Sequence, residues 1–350
     1  MKNLTWFNKL VFVANLMLTL LTFLAYALPF LAPKWFSFLS VLTLVLPFFL
    51  IVNALFFLYW LLLLKRQMIY SGLILLLGIT FVNKFYKFSS KELVTSDKDF
   101  VIMNYNVRLF NLFKWIPRED VADQILEFIN ENNPDLLCIQ EYSTSASAKV
   151  DFKLYPYRAI FTKGNLIKTG NAIFSKFPIV NEGEVGFPES NNIAIFADIK
   201  IGKDIIRVYN LHLESIKISP DVNEISEKTE GFSQAKSEMI FKRIGKAFKK
   251  QQQQAEIFVD HKKDCSYPLV VCGDMNNSAF SYVYRTVKGS MQDTFEEAGK
   301  GFGQTYNFKY YPARIDYIFA DPKMNVKSFK NFPNFVNSDH LPILTRLSLY

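Results

Sequence analysis

Three long apolar runs dominate the N-terminal quarter of the chain, and they constrain its fold more than any other feature. Residues 10–31 and 36–64 are almost wholly apolar and long enough to cross a bilayer as helices. Residues 68–83 form a shorter third run, which flanking lysines can extend towards the headgroups. A cleaved signal peptide is a poor alternative, because two more apolar runs follow the first. The sequence therefore predicts a membrane anchor at residues 1–87 with three transmembrane helices.

Charge is distributed unevenly between this apolar part and the rest of the chain. Residues 1–91 contain eight lysines and arginines and no acidic residue, which accounts for the whole formal net charge of +8. Of the 40 basic residues, 32 therefore remain in residues 92–350, where they balance all 32 acidic residues. A balanced domain lacks the general positive charge of a nucleic-acid-binding protein, although a local basic patch stays open.

The basic residues that flank the apolar runs bear on membrane orientation. Three spans put the N-terminus and the C-terminal domain on opposite sides, and four basic residues fall on each side. The adjacent Lys65 and Arg66, in a very short loop, favour a cytoplasmic N-terminus. We therefore expect an integral protein of a bacterial inner membrane with its C-terminal domain outside the cytoplasm. If the third run does not cross, this assignment reverses.

After a polar linker at residues 88–98, short apolar strands alternate with turns and amphipathic helices through residues 99–350. The predicted strands are 100–106, 136–140, 171–174, 193–201, 205–211, 269–272, 315–319 and 343–349. The predicted helices are 119–132 and 235–262, the second with Gln251 to Gln254 on a solvated face. Many strands with few helices predict an α/β (α+β) domain of layered sheets with helices outside. Cys138 and Cys272 are expected as buried thiols, since three cysteines without a spacing pattern argue against disulfides and zinc.

Polar side chains recur at the ends of these predicted strands. They are Asn106, Glu141, Asn210, His212, Asp274, Asn276, Asp316, Asp339 and His340. Strand ends along one rim converge in space, so these side chains are expected to share a cleft. Carboxylates and amides with two of only three histidines are an inventory suited to Mg²⁺ or Mn²⁺ and a phosphate. Each alone has a simpler explanation: Asn106 as a turn cap, Asp316 as an ion-pair partner of Arg314.

Together these motifs resemble those of the endonuclease/exonuclease/phosphatase superfamily, the DNase-I-like metal-dependent phosphoesterases. The matching segments occur in the family's order and are Asn104–Arg108, Pro134–Glu141, Gly170–Ser175, Asn210–Leu213, Gly273–Asn276, Arg314–Ile318 and Ser338–His340. The resemblance implies a four-layer α/β sandwich, with two central sheets and helices on both outer faces.

The resemblance also implies roles around a metal ion. Glu141 is then the principal Mg²⁺ ligand, supported by Asn106 and Asp339. Asp274 orients or deprotonates the attacking water.

The remaining residues would handle the phosphate and the proton. Asn276, Asn210 and Arg108 are the expected phosphate-binding residues. His212 also contacts the phosphate, with an unassigned carboxylate partner. His340 stabilises the developing charge or acts as general base, and Asp316 holds it in its tautomer.

The fold does not settle the substrate, so three functions stay open. The first is a membrane-anchored phosphodiesterase acting on a lipid headgroup or another small phosphoester. Its polar loop 214–234 is then either a solvated surface loop or a segment that faces the bilayer with Ile216, Ile218 and Phe232. The second is a nuclease that uses Arg108 and the basic helix segment 242–250. The third is a non-catalytic membrane scaffold, which the intact motifs argue against. No obligate protein partner is inferred.

Overall fold

The computed structural model describes residues 4–147, 150–216, 234–309 and 311–349. The chain divides into two compact units. The first contains the N-terminal helices up to Phe85, the described part of Lys217–Gln252, and Ser278–Arg285. The second contains Tyr86–Ile216, Gln253–Asn277 and Thr286–Tyr350. The first unit thus takes in two later segments beyond the anchor expected at residues 1–87.

The helices and strands of the described residues have the following bounds. The helices are α1 (Trp6–Ala27), α2 (Pro33–Phe36), α3 (Leu42–Leu62), α4 (Met68–Leu77), α5 (Ile79–Phe85), α6 (Val121–Asn132), α7 (Thr144–Ser147), α8 (Gln234–Lys262), α9 (Tyr282–Lys288) and α10 (Thr294–Ala298). The strands are β1 (Asp99–Asn106), β2 (Leu136–Ser143), β3 (Tyr157–Lys163), β4 (Thr169–Ser175), β5 (Ile179–Gly186), β6 (Ile193–Ile201), β7 (Asp204–His212), β8 (Leu269–Asp274), β9 (Gln292–Asp293), β10 (Asp316–Ala320), β11 (Met324–Asn331) and β12 (Ile343–Leu349).

The apolar runs of the sequence form helices in the first unit. Two stretches, Trp6–Phe30 and Leu39–Leu62, are long and apolar enough to cross a membrane. The third run is broken, because α4 and α5 meet at a bend of 61°. The described part of the chain therefore contains two candidate spans, or three if the bent pair counts as one.

A buried polar network holds α1, α3 and α4 together. Asn15 of α1 donates through Nδ2 to Ser71 Oγ of α4 at 2.7 Å and accepts from Trp60 Nε1 of α3 at 3.0 Å. Asn53 of α3 donates to Thr22 Oγ1 of α1 at 2.9 Å. Side chains of this kind join helices in lipid, where apolar contact alone gives little preference for protein over bilayer.

The second unit is built on two six-stranded sheets. The first has the strand order β11-β12-β1-β2-β4-β3 and the second β5-β6-β7-β8-β10-β9. Each sheet contains one parallel pair, β1 with β2 and β7 with β8, and its other pairings are antiparallel. Apolar side chains of both sheets, among them Ile102 and Val208, meet in a buried core between them.

Helices cover the outer faces of both sheets. Ile125 and Ile129 of α6 pack on the first sheet together with Met103 of β1. Phe258 near the end of α8 packs edge-on against Tyr209 of β7, with ring centroids 5.0 Å apart. This arrangement is the four-layer α/β sandwich, with two central sheets and helices on both outer faces, that the resemblance implied.

Four strands of the described residues escaped the sequence prediction: β3, β5, β9 and β11. Of these, β9 has only two residues, and β5 reads Ile-Val-Asn-Glu-Gly-Glu-Val-Gly, in which apolar and polar residues alternate poorly. The expected linker 88–98 is hydrogen-bonded to β11, since Leu93 N donates to Lys327 O at 3.0 Å.

The expectation of a solvated face at Gln251 to Gln254 was wrong for three of the four residues, since Gln253 alone of them is exposed. Gln251, Gln252 and Gln254 are all buried, and Gln254 Oε1 accepts from the backbone N of Glu214 at 2.8 Å. A polar run inside a helix can be buried when its amides satisfy backbone groups of other segments. In the expected loop 214–234, Ile216 is buried, whereas Ile218 and Phe232 lie outside the described residues. Cys138 and Cys272 are free and buried, as predicted.

Candidate active site

Strand register places three of the expected residues side by side in the second sheet. His212 of β7 pairs with Asp274 of β8 in parallel register, and Asp274 pairs with Asp316 of β10 in antiparallel register. Asp274 is therefore the middle of a row across three strands. The residue before it must be glycine, since a Cβ on Gly273 (φ +149°) would lie 2.1 Å from the Leu211 carbonyl oxygen.

The first sheet contributes Asn106 and Glu141 from its parallel pair. Asn106 ends β1, and Glu141 lies in β2 where the pairing with β4 is irregular between Ile139 and Tyr142. Glu141 has a φ of 51°, a left-handed conformation that is strained for a non-glycine residue. Bulges of this kind re-aim a side chain at the end of a strand.

Asn106 connects the residues of the two sheets. Its Nδ2 lies 3.1 Å from Asp274 Oδ2 and 3.3 Å from Glu141 Oε1, and its Oδ1 accepts from the Arg108 backbone N at 3.1 Å. The amide thus sits between two carboxylates that come from different sheets. Glu141, Asp274 and Asn106 form one cluster, as the sequence predicted.

His340 enters the same cluster from the segment before β12. Its Nδ1 lies 3.0 Å from Asp316 Oδ2, and its Nε2 lies 3.6 Å from Asp274 Oδ2. The backbone N of His340 donates to Ser338 Oγ, which in turn donates to the Asn106 carbonyl at 2.9 Å. These bonds fix the ring between two aspartates.

His212 and Asn276 close the other side of Asp274. His212 Nε2 lies 3.7 Å from Asp274 Oδ2 and 3.9 Å from Glu141 Oε1, which identifies the carboxylates nearest to this imidazole. Asn276 has a φ of 49°, and its backbone N donates to Asp274 Oδ1 at 2.8 Å. A second strained residue therefore holds the Asp274 carboxylate in place.

Arg108 and Asp339 lie at the more exposed edge of the cluster. Arg108 Nε is 3.4 Å from Asp339 Oδ2, and both side chains are about one-third exposed at 32% and 28%. Glu141 is similarly exposed at 31%, whereas Asp274 is only 1% exposed. The cluster is thus open on the side of Glu141, Asp339 and Arg108 and closed beneath Asp274.

Burial and neighbouring charges shift the ionisation of this cluster. Burial is the main reason that the pKa of Asp274 is raised to about 6, with His340 opposing and Asp316 reinforcing the shift. Burial by itself lowers the pKa of His340, but the Asp316 and Asp274 carboxylates outweigh it and raise that pKa well above its ordinary value.

Two further groups are shifted in the same cluster. Burial raises the pKa of Glu141; Asp339 adds to this, while His340 acts against it. Burial lowers the pKa of His212 despite the nearby Asp274 carboxylate. The site therefore pairs a charged imidazole at His340 with a neutral one at His212, and it concentrates more negative charge than its basic groups neutralise.

Two groups of residues could hold a metal ion. Asp274, Asp316 and His340 each place a ligand atom within 4.8 Å of the others. However, His340 is hydrogen-bonded to Asp316, and its raised pKa favours the imidazolium, which has no lone pair for a metal. Glu141 has no such conflict and offers carboxylate oxygens that suit a hard divalent cation, whereas Asn106 turns its Nδ2 towards Glu141 and its Oδ1 accepts from the Arg108 backbone N.

Asn210 lies elsewhere than the sequence predicted. It is fully buried, its Nδ2 donates to the carbonyls of Ile139 and Ala172, and its Oδ1 accepts from Gln140 Nε2 at 2.6 Å. These bonds join strands of the two sheets and use the polar atoms of the amide. The expected phosphate-binding role of Asn210 does not fit this placement, because none of these atoms is presented to a ligand.

The rival explanation for Asp316 also fails. Arg314 Nη1 lies 2.7 Å from Asp293 Oδ2, in a buried ion pair that does not involve Asp316. Asp316 instead accepts from His340.

Two neighbours of the cluster gave no sequence signal. The Tyr306 ring packs edge-on against His340 with centroids 4.9 Å apart, and Thr305 Oγ1 accepts from the backbone N of Asp316 at 3.0 Å. Both residues lie in an irregular segment without strand periodicity, so only the fold reveals their position.

Two families of known proteins match this chain. The family described as endonuclease/exonuclease/phosphatase matches residues 103–340, more than half of the chain. A second family, described only as a domain of unknown function, matches residues 8–85. Among curated proteins, none matches the chain significantly.

Many solved structures share the fold. An endonuclease/exonuclease/phosphatase from Bacteroides vulgatus is 20% identical, with a TM-score of 0.53, covering 72% of this chain and 99% of its own. The human Nocturnin catalytic domain with bound sulfate is 20% identical, with a TM-score of 0.52 over 74% and 96%. TDP2 from D. rerio, complexed with single-strand DNA product, is 15% identical, with a TM-score of 0.54 over 72% and 100%.

Proposed function

The chain belongs to the endonuclease/exonuclease/phosphatase family, and from that premise we propose that it is a divalent-metal-dependent phosphodiester hydrolase held at a membrane by α1 and α3. The observation that carries this proposal is the position of Asp274. Its carboxylate is contacted by Asn106, Asn276 and both histidines at distances of 2.8 to 3.7 Å. Two imidazoles and two amides gathered around one buried acid are typical of a functional site.

The donor set at the open edge fits a cation. Burial and the neighbouring Asp339 both raise the pKa of Glu141, so negative charge there is only partly compensated. We propose Glu141 as the principal ligand of Mg²⁺ or Mn²⁺, with Asn106 and Asp339 in support. Such an ion, when bound, neutralises charge on a phosphate oxygen and so favours attack at phosphorus.

The chain's own residues supply proton transfer and charge stabilisation. Asp274, held by the backbone N of Asn276, is placed to orient a water molecule and accept its proton. Asp316 keeps the Nδ1 of His340 occupied, so that Nε2 faces Asp274 and can stabilise charge developing on the phosphoryl oxygens. Asn276 and the neutral His212 lie beside them as further contacts to the phosphate.

Two features favour a phosphodiester of lipid or small-molecule origin as substrate. The N-terminal helices would keep the site close to a bilayer, and residues 92–350 carry no net charge.

We place the catalytic domain on the extracytoplasmic side, and protease digestion of intact spheroplasts would test this by cleaving the domain without breaking the membrane.

One observation favours a nuclease as the second candidate. The Arg108 guanidinium stacks over the Trp115 ring at 4.4 Å, beside an exposed Phe113. An arginine with exposed aromatic rings can hold a nucleotide through phosphate contact and base stacking. TDP2, which shares the fold, has been solved with a single-strand DNA product.

Activity of the full-length protein in lipid nanodiscs separates these candidates. The substrates are bis-p-nitrophenyl phosphate, phospholipid vesicles and single-stranded DNA, each with Mg²⁺ and with EDTA. We expect hydrolysis that needs Mg²⁺ and is lost in His340→Ala, with lipid preferred over DNA. Strong DNA cleavage that Trp115→Ala reduces, without lipid turnover, would reverse the ranking. Equal activity in wild type and His340→Ala would reject the proposed mechanism.

A further inference from the structure

The first unit contains a cavity of about 400 Å³ that none of the proposed catalytic residues lines. One wall is the connection between α1 and α3, residues 28–41, which includes α2 and is called the loop below. It contributes Ser37 and Phe38. The other wall is the N-terminal part of α8, which contributes Phe241, Lys242, Gly245, Lys246 and Lys249. A volume of this size lies within the range of small-ligand sites, about 300–1,000 Å³.

Three lysines give the cavity its chemistry. Lys242, Lys246 and Lys249 follow one another at helical spacing on one side of α8, and all three are exposed. Among the residues that the structure describes, no acidic side chain lines this cavity. The rings of Phe38 and Phe241 complete the lining. Concentrated positive charge beside exposed apolar surface suits an anionic ligand that also carries an apolar part.

Specific contacts build the cavity. A Cβ on Gly245 would lie 3.2 Å from Ser37 Oγ, so the missing side chain lets the loop approach α8 closely. The backbone N of Lys34 donates to Gln252 Oε1 at 2.7 Å, and the Gln252 side chain is buried. The loop is thus fixed to the helix on which the lysines stand.

The loop also has the composition of a membrane interface. It joins two candidate spans, α1 and α3, so it would lie at the surface of a bilayer that contains them. Trp35 is 72% exposed and Phe38 is 65% exposed, and tryptophan is enriched at the headgroup level of membranes. Lysines at this depth attract anionic lipids.

We propose that the cavity binds the phosphate-bearing headgroup of an anionic phospholipid from the surrounding bilayer. The inference rests on the proposed membrane insertion of α1 and α3 and is independent of the proposed hydrolysis. It gives the basic helix segment 242–250 a partner other than nucleic acid. The bound lipid would fix α8 and the loop at the membrane surface.

Native mass spectrometry of the full-length protein in detergent tests the proposal, with phosphatidylglycerol and phosphatidylcholine as probes. We expect phosphatidylglycerol to bind at least about tenfold more tightly, and the triple variant Lys242→Gln/Lys246→Gln/Lys249→Gln to lose this preference. The matched control is Lys203→Gln/Lys300→Gln/Lys323→Gln, which removes the same charge from exposed lysines of the second unit and should keep the preference. Equal loss in both triple variants would overturn the site.

A second variant separates the cavity from charge alone. Ser37→Phe puts a ring into the cavity and leaves every lysine in place, and we expect it to weaken phosphatidylglycerol binding at least about fivefold, as loss of a buried headgroup contact should. Unchanged binding in Ser37→Phe would contradict a headgroup inside the cavity. Inorganic phosphate that competes as strongly as the lipid would contradict a lipid ligand. His340→Ala is expected to bind lipid as wild type does, so failure of the catalytic proposal leaves this result unaffected.

Discussion

His340 Nδ1 lies 3.0 Å from Asp316 Oδ2, and this bond links the two sheets of the second unit. Asp316 begins β10 in the second sheet, whereas His340 precedes β12 in the first. The bond turns Nε2 of the ring towards Asp274, which lies 3.6 Å away. The orientation of one imidazole therefore depends on how the two sheets pack.

Removing either partner should lower turnover to different extents. We expect Asp316→Asn to reduce kcat by about 10–100-fold, because the ring loses its orienting carboxylate. His340→Ala should cost at least about 100-fold, because it removes the charge stabiliser itself. Phosphodiester hydrolysis measured on both variants, with Asp204→Asn as an exposed control, checks this. In the double variant the losses should not add, since Asp316 acts through His340; full additivity would contradict a positioning role.

The same bond should make stability fall with rising pH. The pKa of His340 is raised well above its unfolded value near 6.5, so the native pairing is fully present below pH 6.5. As pH rises above 6.5, His340 loses its proton in the unfolded chain before it does so in the folded protein. The stabilisation that the pairing gives the folded state is lost by the time pH passes the native pKa of His340. Melting temperatures of wild type and His340→Gln in EDTA should therefore differ most below pH 6.5. A difference that grows towards alkaline pH would show the opposite linkage.

Metal binding should distinguish the two candidate ligand groups. We expect Glu141→Ala to weaken Mn²⁺ binding by at least about tenfold, since it removes the proposed principal ligand, whereas His340→Ala should bind Mn²⁺ as wild type does. Calorimetric titration of the EDTA-treated full-length protein measures both affinities without requiring activity. If instead His340→Ala loses the ion and Glu141→Ala keeps it, the group of Asp274, Asp316 and His340 is the metal site.

The polar network between the N-terminal helices should contribute measurably to their packing. Asn15→Leu removes the bonds to Ser71 and Trp60, and we expect a loss of about 1 kcal/mol in detergent unfolding. Met17→Leu is the control, because Met17 is exposed on the same helix. A double-mutant cycle with Ser71→Ala gives the coupling of the pair, and zero coupling would mean that the helices pack without this bond.

Much of the candidate site was predictable because strand ends carry a strong local signal. A polar residue directly after an apolar run, as at Asn106 or Asp274, is visible without any knowledge of pairing. The local pattern did not show the partner of Asp316, which only the resemblance gave as His340, since the nearest basic residue in sequence, Arg314, bonds to Asp293 instead. Choosing among such partners requires the register of β8 and β10.

Other features depended on contacts that no local pattern carries. Asn210 follows the same strand-end pattern as the site residues, yet both polar atoms of its amide form hydrogen bonds between the two sheets. Gln251 and Gln252 look like a solvated face, yet both are buried. For Asn210 and Gln252 the polar groups that meet the amide come from distant parts of the chain, so composition alone favours the wrong environment.

The row formed by His212, Asp274 and Asp316 has a consequence for how this chain can change. Successive residues of a strand point to opposite sides of the sheet. Inserting or deleting one residue within Leu269–Asp274 would therefore turn Asp274 away from His212 and Asp316. It would also turn the apolar side chains of β8 out of the core. Length variation in β8 would thus destroy folding and chemistry together. Changes in reactivity must arise by replacement of side chains or in the loops beyond the strands.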